Sequence, residues 1–417
     1  MREMKDSGIS WVGEIPKEWS VNRAKYCFVN TKEIAGCMSD RYERLALTMN
    51  GVIKRSKDDS NGLQPEKFET YQILRPDELV FKLIDLQNVS TSRVGLSPYL
   101  GLVSPAYIIL KSNKRVLPAF AEKYFLMLWK NQIFNALGDA GVRSILNSKD
   151  LLELSIPFPT FDEQQQIADF LDRECGKIDG LKADIQAQID TLEQYKRSVI
   201  TEAVTHGLNP SAPMKDSGIP WVGQFPTHWT KKKGKYILRY MSKPVKQDDG
   251  VITCFRDGEV TLRSNRREDG FTMADKEIGY QGVDVGDLVV HGMDGFAGAI
   301  GISDSRGKAS PVLNVLNTKQ NKKYIMYYLR SMAYGEVFTA LSTGIRVRSC
   351  DLRWNKLAEL LYPLPPIDEQ NNIVSYIDNQ IARTNEIIAD KKSQIETLDG
   401  YKKSLIYEYV TGKKEVV

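Results

Sequence analysis

The stretch MKDSGISWVGEIPKEW at residues 4–19 returns as MKDSGIPWVGQFPTHW at 214–229, with eleven of sixteen positions identical. Agreement of that density is not a chance event, so the 417-residue chain reads first as a repeat. Working outward, PFPTFDEQQQIADFLD at 157–172 answers PLPPIDEQNNIVSYID at 363–378, and TLEQYKRSVITEAVTHG further on answers TLDGYKKSLIYEYVTG. Between these markers the likeness is weaker but collinear. YQILRPDELVF (71–81) matches YQGVDVGDLVV (280–290), VSPAYIIL (103–110) matches ASPVLNVL (309–316), and Gly141-Val142-Arg143 matches Gly344-Ile345-Arg346. The unit of duplication is therefore a lead motif, a divergent globular segment and a helix.

The helices follow from periodicity. From Asp162 to His206 there is no proline, and Leu171, Ile178, Ile185, Leu192 and Val199 recur every seventh residue. Ile167, Leu181, Ile189 and Tyr195 are expected to widen that seam. Asp162 suits an N-cap and Gly207 a C-cap. The second copy repeats the pattern with Ile377, Ile381, Ile388, Ile395, Leu398 and Leu405, interrupted at Thr384 and Lys391, from near Asp368 to Gly412. Helices of about 44 residues, roughly 65 Å long, cannot bury an apolar stripe alone. Antiparallel pairing is expected, with one globular segment toward each end. The expected fold is α+β: two similar mixed domains separated by two long antiparallel coiled-coil helices, with pseudo-two-fold symmetry. The boundaries are 1–159 and 208–362 for the domains, 160–207 and 363–412 for the helices, and 413–417 for a tail.

Charge separates along the same lines. Residues 1–159 carry 22 Lys+Arg against 18 Asp+Glu and residues 208–365 carry 23 against 16, whereas 160–207 carry 5 against 10 and 366–412 carry 5 against 8. Basic globular segments on an acidic frame suit a polyanion-binding protein. Strand-like runs (73–83, 107–110, 287–290, 312–316) and helix-like runs (119–137, 322–338) make both segments mixed. CFRDGEVTLRSNRREDGF at 254–271 crowds Arg256, Arg263, Arg266 and Arg267 into a polar, glycine-containing loop or hairpin. Its counterpart, MNGVIKRSKDD at 49–59, offers Lys54, Arg55 and Lys57 after Gly51, which aligns with Gly258. Arginine suits guanine edges and phosphates, and different residues at one position suit two readers of different sequences. Arg143 and Arg346, matched across the repeat, suit contacts to the DNA backbone. Lys82 and His291, also matched, end strand-like runs, and Arg93 and Arg348 complete the basic candidates. A solvated charged face is the competing reading of any one of these residues.

Catalytic parts are missing from the sequence. Gly301 to Lys308 has five residues between its glycines and Ala309 where a P-loop needs Ser or Thr. Glycines 292, 295, 298 and 301 do not make a dinucleotide fingerprint. Leu364-Pro365-Pro366-Ile367 is not an amino-methyltransferase motif, and Pro76-Asp77 lacks a following E-x-K. Five scattered cysteines and three histidines suggest neither a disulfide framework nor a zinc site. No apolar run reaches membrane-spanning length, and a cytoplasmic location is expected.

The repeated MKDSGIPWVG-x-x-P-x-x-W motif, the P-x-P-x-x-D-E-Q helix start and the Tyr-Lys-x-Ser-(Val/Leu)-Ile helix end resemble the specificity subunit of type I restriction-modification systems over essentially the whole chain. The resemblance implies a non-catalytic subunit whose two variable domains each read half of a bipartite, asymmetric site on double-stranded DNA. It implies two methyltransferase (modification) subunits as partners, joined by two restriction (motor-nuclease) subunits. S-adenosylmethionine would sit on the former, ATP and magnesium on the latter, and no cofactor on this chain. Trp11, Trp19, Asp162 and Gln164, with Trp221, Trp229, Asp368 and Gln370, match the frame and are candidates for partner contact or packing. Two other readings remain open: a self-sufficient nuclease of two fused halves, and a coiled-coil adaptor that binds only proteins.

Overall fold

The P-x-P-x-x-D-E-Q segments launch two uninterrupted helices, Phe161–His206 and Ile367–Val410, in the computed structural model, which describes residues 2–59, 67–84, 86, 91–137, 145–266, 278–341 and 352–416. Both begin one residue earlier than the aspartates suggest. Thr160 serves the first helix start, its Oγ1 accepting from the Glu163 N–H at 3.3 Å, so Asp162 lies inside the first turn and not at the cap. Gly207 ends that helix with a left-handed φ of 78°, a conformation only glycine adopts cheaply.

The chain divides into two units, residues 1–185 with 392–417, and residues 186–391. In the first, the long-helix segments run antiparallel: Lys182 Nζ meets Asp399 at 2.5 Å, Lys402 Nζ meets Asp179 at 2.6 Å, and the Phe170 and Tyr409 rings stack at 4.4 Å. In the second, Lys196 Nζ reaches Asn385 at 2.8 Å and Lys391 donates to Gln188. Ile178, Ile189, Ile388 and Leu405 are buried along these seams. The seam is narrower than its spacing suggests: Leu181 and Tyr195 stand 53% and 47% exposed, on its flank. Thr384 is buried in it and returns its hydroxyl to the Gln380 carbonyl, which removes the cost of an unpaired polar group.

Each unit contains a four-stranded antiparallel sheet of one order. It is Phe28–Thr31, Ile108–Ser112, Glu78–Phe81, Val94–Leu96 in the first and Leu238–Tyr240, Leu313–Thr318, Leu288–His291, Ile300–Ile302 in the second. A helix, Pro118–Lys130 or Lys322–Tyr334, covers it. The expected runs 119–137 and 322–338 break at Gln132 and Glu336, both at positive φ, and resume as Ile133–Leu137 and Val337–Ala340. Phe81, Phe120, Tyr124, Phe125, Ile167 and Leu171 share the first core, and Leu288, Tyr324, Tyr328, Ile373 and Ile377 share the second. Full burial of a large apolar side chain contributes on the order of 1.5–3 kcal/mol, so these clusters fasten sheet, helix and long helices into one body per unit.

The lead motifs are short antiparallel hairpins, Met4–Asp6 with Glu14–Pro16 and Met214–Asp216 with Gln224–Pro226. They pack at equivalent junctions. Tyr407 and Lys413, at the end of the chain, donate to the carbonyls of Val12 and Glu14, while Gly207 lies against Trp229 and Pro226.

Candidate nucleic-acid interface

In the second unit the arginine-rich stretch forms a hairpin, Ile252–Cys254 with Val260–Leu262, followed directly by the single helical turn Arg263–Arg266. Gly258 turns the hairpin at φ 92°, and Gly51, its sequence counterpart, has φ 85° at the start of Gly51–Arg55. One concavity of about 510 Å³ gathers Arg256, Arg263, Arg266 and His291 with Thr253, Phe255, Asp257 and Asp294. The hairpin, the helical turn after it and the end of Leu288–His291 supply these side chains, and carboxylates keep two of the arginines in place. Arg256 pairs with Asp294 at 2.9 Å. Arg266 bonds Asp257 and Glu259, each at 2.7 Å, with its guanidinium 4.1 Å from the Phe255 ring centroid. Arg263 donates from Nε to Thr253 Oγ1 at 3.1 Å. Burial would raise the Asp257 carboxyl, but the hydrogen bond from Arg266 carries it below the usual carboxylate range.

His291 lines the hollow and also has a structural task. Its Nδ1 accepts from the Met293 and Asp294 N–H groups at 3.2 and 2.9 Å, and burial lowers its pKa, which favours the neutral ring. It clamps the loop that carries Asp294, and so places the carboxylate that orients Arg256.

The first unit has a matching concavity of about 570 Å³, lined by residues 40–44 and 54–57. Lys54 meets Glu43 at 2.6 Å, Arg55 meets Asp59 at 2.7 Å, and Lys57 donates to the Ser39 carbonyl at 2.9 Å while lying 5.6 Å from the Phe68 ring centroid. Sequence reasoning missed Arg41 and Arg44 on the same rim. Arg44 belongs to the strand Arg44–Thr48, which pairs with Gly51–Arg55 and sets Arg44 opposite Arg55. The signal available was a basic residue on each side of a two-residue turn, which a search for basic runs does not weigh.

Six candidates need correction or lie out of reach. Arg93 is wholly buried and donates to Thr91 Oγ1 at 3.2 Å, so its guanidinium does not face a ligand. Lys82 is half-buried, 3.5 Å from the same hydroxyl. Arg143, Arg267, Arg346 and Arg348 fall outside the described residues.

The frame residues turn mainly inward. Gln164 is buried, its Oε1 accepting from the Leu117 N–H at 2.7 Å and its Nε2 donating to the Pro159 carbonyl at 3.1 Å. Gln370 repeats this with Asn321 and Pro365, each at 3.0 Å. Trp19 and Trp229 are buried and donate to Glu163 and Glu369 at 2.9 and 3.0 Å. The glutamate of each D-E-Q is thus the tryptophan's partner, while Asp162 and Asp368 remain exposed. Trp11 and Trp221, half-buried, donate to Tyr124 and Tyr328 at 3.2 and 2.9 Å.

Two α+β units, each presenting a hollow lined by basic side chains beside a strand turn and joined by two long helices, define a class of helix-linked, two-domain proteins. Residues 84–191 match the family described as type I restriction modification DNA specificity domain. The chain is 22% identical to the putative type I restriction enzyme MjaX specificity subunit of Methanocaldococcus jannaschii, covering 97% of this chain and 96% of that protein. In fold it is similar to a chain solved in work on complex assembly and conformational transition of the type I R-M system (TM-score 0.65, 12% identity, 96% of this chain and 99% of that one). Similarity extends to the HsdS subunit of Thermoanaerobacter tengcongensis, with a TM-score of 0.45, 13% identity, and 96% and 98% coverage. Residues 84–191 thus resemble the DNA specificity domain of type I restriction-modification systems, and the chain is similar over nearly its whole length to a putative specificity subunit. Among the described residues no helix is long and apolar enough to cross a membrane.

Proposed function

We propose that this chain reads a bipartite, asymmetric DNA target, one half-site per unit, and brings adenine methyltransferase and restriction subunits to it without catalysing a reaction itself. The observation that carries this reading is the convergence, in each unit, of side chains from the divergent basic stretch on a single hollow: Arg256, Arg263 and Arg266 in one, Lys54, Arg55 and Lys57 in the other. Carboxylate-held arginines suit base edges, because fixed geometry discriminates where loose charge only attracts. The hollows differ in residues while each unit keeps one four-stranded sheet of the same order, so two different half-sites are expected, and an asymmetric target follows.

Two modification subunits and two restriction subunits complete the proposed assembly. S-adenosylmethionine belongs on the modification subunits, ATP and magnesium on the restriction subunits. The test uses the full chain assembled with its modification subunit. Replacing Arg263 with alanine should weaken binding to the methylated target sequence by about 1–3 kcal/mol for a lost base contact, while affinity for unrelated duplex changes much less. Plasmid cleavage by the purified chain with magnesium alone would instead favour the nuclease reading.

A further inference from the structure

Beside the hollow around the second unit's hairpin lies a larger groove of about 810 Å³, and Arg256 and Asp257 line both. One wall of this groove is the first long helix, through Glu193, Lys196, Arg197 and Ile200. Facing it are Arg330 and Tyr334 of the covering helix Lys322–Tyr334. The cations here are in different states. Lys196 is engaged by Glu193 and by Asn385, each at 2.8 Å. Arg197 is exposed, lies 5.3 Å from the Tyr334 ring centroid, and meets no carboxylate within ion-pair distance among the described residues. Arg330 lies 5.8 Å from the same centroid and donates to the Tyr334 oxygen at 2.9 Å and to the Asp257 carbonyl at 2.7 Å. It too meets no carboxylate among the described residues.

Two guanidinium groups are therefore held around one aromatic ring, and neither is ion-paired to the acids that also line the groove, Glu193, Asp257 and Glu336. Like charges brought together raise the local potential, and an anion placed beside them relieves it. An arginine stacked on an aromatic ring also loses little freedom on binding. We propose that this groove takes the sugar–phosphate backbone of the duplex flanking the half-site that the hairpin reads, with Arg197 as its phosphate contact and Arg330 as the residue that positions the ring beneath it. The inference rests on the reading of the hairpin given above and deepens it: the long helix becomes a DNA-touching element as well as a spacer. Continuity through Arg256 favours a polymer that occupies both hollows over a separate acidic protein segment.

The test is a salt titration of the assembled complex against a duplex carrying the target mapped by methylation and against a scrambled duplex. Arg197→Ala should weaken both duplexes by the same factor, roughly five- to tenfold at low salt. It should also reduce the slope of log affinity against log salt by about 1, as the loss of one phosphate contact requires. Arg197→Lys should keep the wild-type slope, because a phosphate asks for charge and not for a fork. An unchanged slope in the alanine variant, with wild-type target preference intact, overturns this inference alone. So does a lysine variant that fails like alanine, which would make Arg197 a packing element on Tyr334. A defect confined to subunit assembly would show that the groove takes an acidic protein surface. Loss of target preference in the wild-type complex itself would overturn the proposed function and this inference together.

Discussion

Replacing Gln370 with methionine isolates the hydrogen bonds that fasten a long helix to its unit. Methionine keeps the chain length and nearly the volume, so the cavity term is small. The Asn321 N–H, at the start of the covering helix, and the Pro365 carbonyl each lose a partner now 3.0 Å away, and Gln320 Oε1 loses one at 2.7 Å. A buried polar group left unsatisfied costs about 1–3 kcal/mol, and burying a thioether in place of an amide returns part of this. The net expectation is a loss of about 2–4 kcal/mol, which lowers amide protection by roughly 30- to 800-fold, since each 1.4 kcal/mol is tenfold. Hydrogen exchange on peptides covering residues 319–329 measures it directly. Gln164→Met provides an independent replicate in the other unit, through Leu117 and Pro159. Unchanged protection in both variants would refute the argument, because the side chains would then be bystanders in a junction held by apolar packing alone.

Three further outcomes are expected. Gly258→Ala places a Cβ at a φ of 92° and against the Arg330 guanidinium, the backbone strain alone costing on the order of 1–2 kcal/mol; target binding should fall while the thermal midpoint of the first unit stays unchanged, and intact binding would show that the hairpin turn is not needed. Asp284 is drawn down to about 2 by hydrogen bonds from Lys243 and Arg306. A carboxyl with a lower pKa in the folded state stabilises fully above its ordinary value of about 4 and loses that contribution as pH falls toward about 2. The stability difference between wild type and Asp284→Asn should therefore close across that window; a gap that persists at pH 2 would contradict the linkage. Removing two turns from both long helices should change the number of unread base pairs between half-sites, as methylation mapping would show, and an unaltered gap would remove the spacer role.

Much of the fold could be read from residues because the duplication supplies its own control. A heptad seam that recurs in both copies points to paired helices, and collinear strand-like runs point to the same sheet twice. What could not be read was decided by tertiary partners. The D-E-Q triplet signals a helix start, yet only packing shows that glutamate and glutamine face inward while aspartate faces solvent. Arg93 looks like any basic candidate along the chain, and only the folded structure shows it wholly buried. Leu181 and Tyr195 fit the helical spacing but lie just off the contact face, where a small angular offset decides exposure. Arg44 reaches the first unit's hollow because an antiparallel register sets it opposite Arg55, and Arg41 comes from the helical turn Gly36–Arg41 before that strand, a neighbourhood that linear sequence does not display. His291 ends a strand as expected, and its loop's backbone N–H groups, not its position, fix what it does.

The central claim is that each unit reads its own half of one target. Genome-wide methylation mapping in cells that carry the cognate methyltransferase with either the wild-type chain or an Arg256→Ala/Arg263→Ala variant addresses it most directly. Relaxed or altered sequence preference in one half-site, with the other half-site and the gap preserved, is the expected result. Identical motifs from both chains, or simultaneous loss of both halves in a variant that still folds and assembles, would contradict it.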